Sequence, residues 1–164
     1  MSSISTFVVD SLTELGFPLP SKPAFDIPTL PRDITDLDDE ALMELFVEFT
    51  QWNSHLAGAH AIACINEREA ERALEFGEAE ALFASWTSNA STKGVLASVL
   101  KAQISSLPEI CELYKDLNTK YAFRKLLETR TISIERDSQV VSRELTRRTS
   151  DNGGMRSRTR RFTT

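Results

Sequence analysis

No proline interrupts residues 36–86, and within that stretch only Gly58 and Gly77 weaken the case for helix. An uninterrupted helix of some fifty residues measures about 75 Å at 1.5 Å per residue, several times the average for a globular protein. Such a rod cannot bury its apolar stripe against itself. A second rod must lie along it, from this chain or from another copy, and the residues at 108–148 supply one. The fold class expected is therefore all-α: a long antiparallel helical hairpin with coiled-coil-like spacing.

Along the first rod, Leu42, Leu45, Phe49, Trp52, Leu56, Ala59, Ala63, Ala70 and Ala73 alternate three- and four-residue steps, a seven-residue repeat with Asn66 at one seam position. The early part of this seam is bulky and the later part alanine-rich. The partner helix is thus expected to come closer over residues 57–81, where both glycines remove further bulk. Asp36 is the expected N-cap, with Asp38, Asp39 and Glu40 in a first turn whose dipole favours negative charge. Phe46, Leu74, Leu82, Phe83 and Trp86 widen the stripe beyond what two helices cover, so Phe46, Phe49, Trp52, Phe76, Phe83 and Trp86 are expected at an oligomer interface. Residues 85–94 (SWTSNASTKG) read as the hairpin turn, followed by a short helix over 95–104. Pro108 suits the first helical position of the second rod. Its face runs Ile110, Leu113, Tyr114, Leu117, Tyr121, Leu127, Ile134, Val141 and Leu145, with Thr131 and Ser138 as weaker seam positions. The paired glycines Gly153 and Gly154 are expected to end it near Arg148.

Four segments follow. Residues 1–16 place Phe7, Val8, Leu12 and Leu15 on one face of a short amphipathic helix, capped by Ser5 or Thr6. Residues 17–35 hold five of the six prolines, a density that excludes helix and favours an extended arm, with Phe17, Phe25, Ile27 and Leu30 laid on an apolar groove. Residues 36–148 form the hairpin body, and 149–164 a basic flexible tail.

Charge divides the chain more sharply than the net value of -5 suggests. Residues 1–90 carry 4 Lys or Arg against 16 Asp or Glu, and residues 91–164 carry 15 against 8, giving -12 and +7. Pairing the two rods lays acid against base, which accounts for much of the asymmetry within the fold. Cys64 and Cys111 lie in apolar-periodic helix without a neighbouring cysteine, which points to core thiols in a reducing compartment and to no disulfide. No segment has the apolar length needed to span a bilayer, and a soluble protein is expected. His60, Cys64 and Glu67 stand one turn apart but lack a second ligand cluster, so no metal or other cofactor is expected. No phosphate loop, nucleophile elbow or spaced catalytic pair is present, and the reading is a non-enzyme.

The constellation that points outward is basic. Lys120, Arg124, Lys125, Arg130 and Arg136 precede Arg143, Arg147 and Arg148, and Arg156, Arg158, Arg160 and Arg161 follow in the tail. The group from Arg143 to Arg161 is the expected contact for nucleic acid or a protein partner, because arginines neutralise phosphates while Phe162 or Tyr121 offers a stacking ring. The order of acid-capped long helix, small-residue turn and YAFRKLLETRTISIERDSQVVSRELTRR resembles small helical proteins of tailed phages, among them recombination mediators of the UvsY type. The resemblance spans about residues 37–148. It implies an oligomeric accessory protein that binds single-stranded DNA and other phage proteins in the host cytoplasm. The proline-rich arm fits an alternative, a virion structural or assembly protein that uses arm and tail for subunit contacts.

Overall fold

The computed structural model describes residues 3–88 and 97–159, with the side chains of residues 88, 97 and 151–159 excepted. Among the described residues the chain is helical without strands: α1 (Ile4–Glu14), a 3-10 turn (Ile34–Asp36), α2 (Asp39–Ser88), α3 (Ala97–Ser105) and α4 (Pro108–Thr159). The long α2 and α4 pack together, and their residues divide between two compact units. The first unit comprises Met1–Pro18 and Ala59–Leu127, and the second Leu19–Gly58 and Glu128–Thr164.

In the second unit, Leu42, Phe49, Trp52 and Leu56 of α2 and Ile134 and Val141 of α4 are buried. Leu42, Phe49 and Leu56 follow one another at seven residues, as do Ile134 and Val141, so each helix presents one narrow stripe to the core. Asp38 rather than Asp36 caps α2: its Oδ1 accepts from the Ala41 N–H at 2.7 Å. Asp36 instead closes the preceding 3-10 turn, which Asp33 caps by accepting from the Thr35 N–H at 2.9 Å. Asp36 and Asp38, two residues apart, were both open to this sequence as caps of α2, and the 3-10 turn takes up Asp36. The proline-bearing residues 17–33 form neither helix nor strand. Phe25, Ile27 and Leu30 are partly buried there, Phe17 is exposed, and the Pro20 carbonyl lies 3.0 Å from His55 Nδ1. Leu19 and Pro20 run over Gly58, where an added Cβ would meet Leu19 at 3.5 Å and Pro20 at 3.7 Å.

The first unit is built on smaller side chains. Ala63, Ala70 and Leu74 of α2 are buried, with Ile104 of α3 and Ile110 of α4. Ala81, Leu100, Leu113, Tyr114 and Leu117 complete the cluster around Leu74, Ile104 and Ile110. Gly77 marks the closest approach: a Cβ there would stand 2.7 Å from Leu113 Cδ1 and 3.3 Å from Ile110 Cδ1. Past Ala70 the buried stripe advances by four to Leu74 instead of by three, leaving Ala73 exposed. The second rod shows a similar departure, since Tyr121 is also exposed.

Besides the start of α2, the ends of the elements differ from expectation in three places. α1 starts two or three residues early, capped by Ser3, whose Oγ accepts from the Ser5 N–H at 3.2 Å. It closes in a Schellman motif at Gly16 (φ +83), with Gly16 N–H donating to Thr13 and Phe17 N–H to Leu12. α2 runs on to Ser88 through the first four residues of the expected turn, whose remaining residues lie outside those described. α4 continues past Arg148 to Thr159, through Gly153 and Gly154. Glycine disfavours helix by only about 1 kcal/mol and ends one where it takes positive φ, and among the described residues only Gly16 does so.

Candidate interaction surface

Both long helices of the first unit carry apolar side chains on the side away from the core. At 100° per residue, Phe76, Ala79, Phe83 and Trp86 fall about 180° around α2 from Ala70, Leu74 and Ala81. Phe76, Phe83 and Trp86 are 71%, 70% and 66% exposed. Their three- and four-residue steps repeat the spacing of a helix-pairing seam on the solvent side. Glu75 and Glu80 flank this stripe, and a cavity of about 490 Å³ opens beside it between α2 and α3, lined by Glu75, Ala79, Leu82, Trp86, Leu100 and Ile104. On α4, Phe123 and Leu126 lie 57% and 71% exposed, again opposite Ile110, Tyr114 and Leu117. A shallow depression of about 750 Å³ runs along this face past Lys115, Asn118, Thr119 and Ala122.

The aromatic residues expected at an oligomer interface thus separate into two groups. Phe76, Phe83 and Trp86 stand open. Phe49 and Trp52 do not: they are 0% and 5% exposed in the core of the second unit, with Phe46 partly buried beside them. The Trp52 ring meets His55 edge-on at 5.8 Å, and its buried indole N–H has no acceptor among the described residues. Phe49 and Trp52 sit on the same stripe as Leu42 and Leu56 and are buried with them.

Several of the basic residues expected to face outward are held inside their units. Arg148 is 17% exposed. Its guanidinium donates to Asp39 Oδ1 at 2.9 Å, to Glu144 Oε1 at 2.8 Å, to the Leu37 carbonyl at 2.8 Å and to the Thr35 carbonyl at 3.1 Å. These bonds tie α4 to the cap and first turn of α2. Arg147, itself 56% exposed, bridges both oxygens of Glu144, at 2.8 Å to Oε2 and at 2.7 Å to the Oε1 that Arg148 also uses. Hydrogen bonds from Arg147 and then Arg148 outweigh the effect of burial and hold the Glu144 carboxyl at about 2, while Asp39 and Glu144 raise the Arg148 guanidinium above its ordinary value. In the first unit Arg124 forms a two-pronged pair with Glu67 and lies 5.3 Å over the Tyr121 ring. Arg143 is exposed, Arg156 and Arg158 lie on the last turns of α4, and Arg160 and Arg161 fall outside the described residues.

Two carboxylates that sequence reasoning did not single out fasten the first unit. Glu69 Oε1 accepts from the Ile4 N–H at 2.7 Å and Oε2 from Ser3 Oγ at 3.0 Å, so a side chain of α2 caps α1. That backbone N–H lowers the Glu69 pKa from its ordinary value. Glu78 accepts from the Tyr114 hydroxyl at 2.6 Å, which raises the tyrosine pKa. Of the three residues weighed as metal ligands, His60 and Cys64 stand 3.7 Å apart while Glu67 is engaged by Arg124. Among the described residues no group of three such side chains is placed to hold a metal, and no helix is long and apolar enough to cross a membrane. Cys64 and Cys111 are free thiols, and Cys111 is exposed, not in the core as its neighbours' periodicity suggested. No family model, curated protein or solved structure matches the chain.

Proposed function

We propose that this chain is a non-enzymatic assembly protein that works by self-association, in the manner of the virion structural alternative. One observation carries the reading: the open stripe Phe76, Ala79, Phe83 and Trp86, set opposite the core of the first unit. Three aromatics exposed to this degree make an apolar surface on the order of 400 Å², the size at which patches on soluble proteins are commonly functional. Aromatic side chains are also the usual anchors of protein interfaces. The internal engagement of Arg148 and Arg124 leaves less of the basic charge facing outward than the sequence suggests.

A second reading, contact with single-stranded DNA as in a recombination mediator, draws on Arg143 and on the continuation of α4 as helix to Thr159. One experiment weighs both. Sedimentation at micromolar concentration is expected to give species larger than the 18.4 kDa chain, reduced to that mass by Phe83→Ser with Trp86→Ser. A clean monomer would remove the assembly reading. Adding a single-stranded oligonucleotide at two salt concentrations tests the other reading. DNA binding through the C-terminal arginines must weaken steeply with salt and lose that slope when residues 153–164 are deleted.

A further inference from the structure

α1 is fastened to α2 at its first turn and meets open space at its last. We propose that it is a hinged lid: Glu69 latches its start, Gly16 is the joint, and opening uncovers the Cys64 thiol of α2 while the long helices stay paired.

Three observations carry this. First, the body holds α1 weakly. None of its 11 residues is buried. Ser5, Val8, Val9, Ser11 and Leu12 are half-buried, whereas Ile4 and Phe7 are 45% and 69% exposed. An element with so little apolar burial opens at a cost well below that of global unfolding. Its own caps, Ser3 at the start and the Schellman bonds at Gly16, serve its ends whether or not it touches α2.

Second, the latch and the joint lie at opposite ends, with roughly 16 Å of helix between them. Glu69 takes the Ile4 N–H on Oε1 at 2.7 Å and the Ser3 hydroxyl on Oε2 at 3.0 Å. The Ile4 bond is also what lowers the Glu69 pKa, so the ionised carboxylate favours the closed position. At the other end Leu15, Gly16 and Phe17 are exposed, and a Cβ built on Gly16 would meet nothing within 4 Å. The joint therefore has room to turn, and glycine has the widest choice of backbone angles with which to do so.

Third, the latched end stands beside a thiol. Ile4 shares with Cys64, Ile65, Arg68, Glu69 and Arg72 of α2 a depression of about 300 Å³. Cys64 is half-buried there, its Sγ 3.7 Å from His60 Nε2. Ile4 is the wall that α1 contributes, and it belongs to the residue whose N–H the latch holds. Lifting α1 removes that wall and opens the approach to the sulfur. Cys111 is exposed on α4 and lines no part of this depression, so the same chain carries its own control.

Two readouts on the full chain test the lid. Hydrogen exchange is expected to release the amides of α1 before those of α2 around Ala63 and Ala70. N-ethylmaleimide, followed by mass analysis of each cysteine peptide, is expected to modify Cys64 more slowly than Cys111. In Glu69→Ala both α1 exchange and Cys64 alkylation are expected to rise together, by about tenfold, with Cys111 unchanged. Glu69→Gln keeps an acceptor oxygen without the charge and is expected to fall between that variant and the wild type. Circular dichroism checks that helix is retained, and Ser3→Ala, at an exposed position, replaces Glu69→Ala if it is not. Wild-type α1 amides that exchange only together with those of α2 would overturn the lid whatever the variants do. Unchanged rates in Glu69→Ala would overturn the latch, and faster α1 exchange without faster Cys64 alkylation would overturn the cover over the thiol. An equal rise at Cys111 would mean general loosening and overturn the proposal as well.

Discussion

Arg148 shows how a residue's role depends on its register. As one of a run of late arginines it reads as surface charge, yet it stands seven residues after Val141 and so falls on the buried stripe of α4. There it answers Asp39, Glu144 and carbonyls at the start of α2. Arg124, seven residues after Leu117, does the same for Glu67. Removing Arg148 leaves Glu144, 8% exposed, with a single cation and frees several backbone acceptors, so Arg148→Ala is expected to lower the midpoint of urea unfolding. The pH dependence follows from the carboxylate. Glu144 titrates near 4.5 when unfolded and about 2 when folded. Its stabilisation is therefore fully present above 4.5 and lost as pH falls from there through 2. Glu144→Gln is expected to be less stable at neutral pH and to show a flatter decline across that window; an unchanged slope would show that the pair contributes nothing to acid unfolding.

At the level of elements, the two glycines of α2 make opposite predictions. Over Gly58 the arm residues Leu19 and Pro20 stand at ordinary contact distance from where a Cβ would be, so Gly58→Ala gains helix propensity and is expected to stabilise by about 0.5–1 kcal/mol. At Gly77 the methyl group of Leu113 must move even for alanine, and Gly77→Ile is expected to lose about 2 kcal/mol or more through overpacking. Thermal unfolding of both variants checks the contrast. The sequence shows these elements well because length and period are properties of long segments: the proline-free stretch, the seven-residue stripe and the narrowing toward Gly77 all appear in the structure. Helix ends were less legible, since Asp33, Asp36 and Asp38 are all competent caps and only the 3-10 turn distributes them. The outward stripe was legible only in part. Phe76, Phe83 and Trp86 stood out as excess apolar residues, but Phe123 and Leu126 lie off the heptad of α4 and so escaped a search conducted along it.

For the whole molecule, the proposed assembly reading assigns folding and association to different aromatic residues. Trp52 lies in the core of the second unit and Phe83 on an open face of the first. Trp52→Ala is expected to cost about 3–5 kcal/mol of stability while leaving the assembled mass unchanged where the variant remains folded. Phe83→Asp is expected to do the reverse, abolishing assembly and with it any rise of melting temperature with protein concentration. Equal effects of both substitutions on assembled mass would mean that the two roles are not separable. The narrow helix contact around Gly77 bears on how such a chain tolerates change over generations. The second unit packs large side chains, and large aliphatic groups can exchange places with modest loss so long as total volume is kept. In the first unit Ala63 and Ala70 are buried and Gly77 meets Leu113 and Ile110 of α4 at closer than ordinary contact, so variants at these positions should be confined to small residues. A library of random substitutions would then show a stretch of α2 as intolerant as an active site, for reasons of clearance alone.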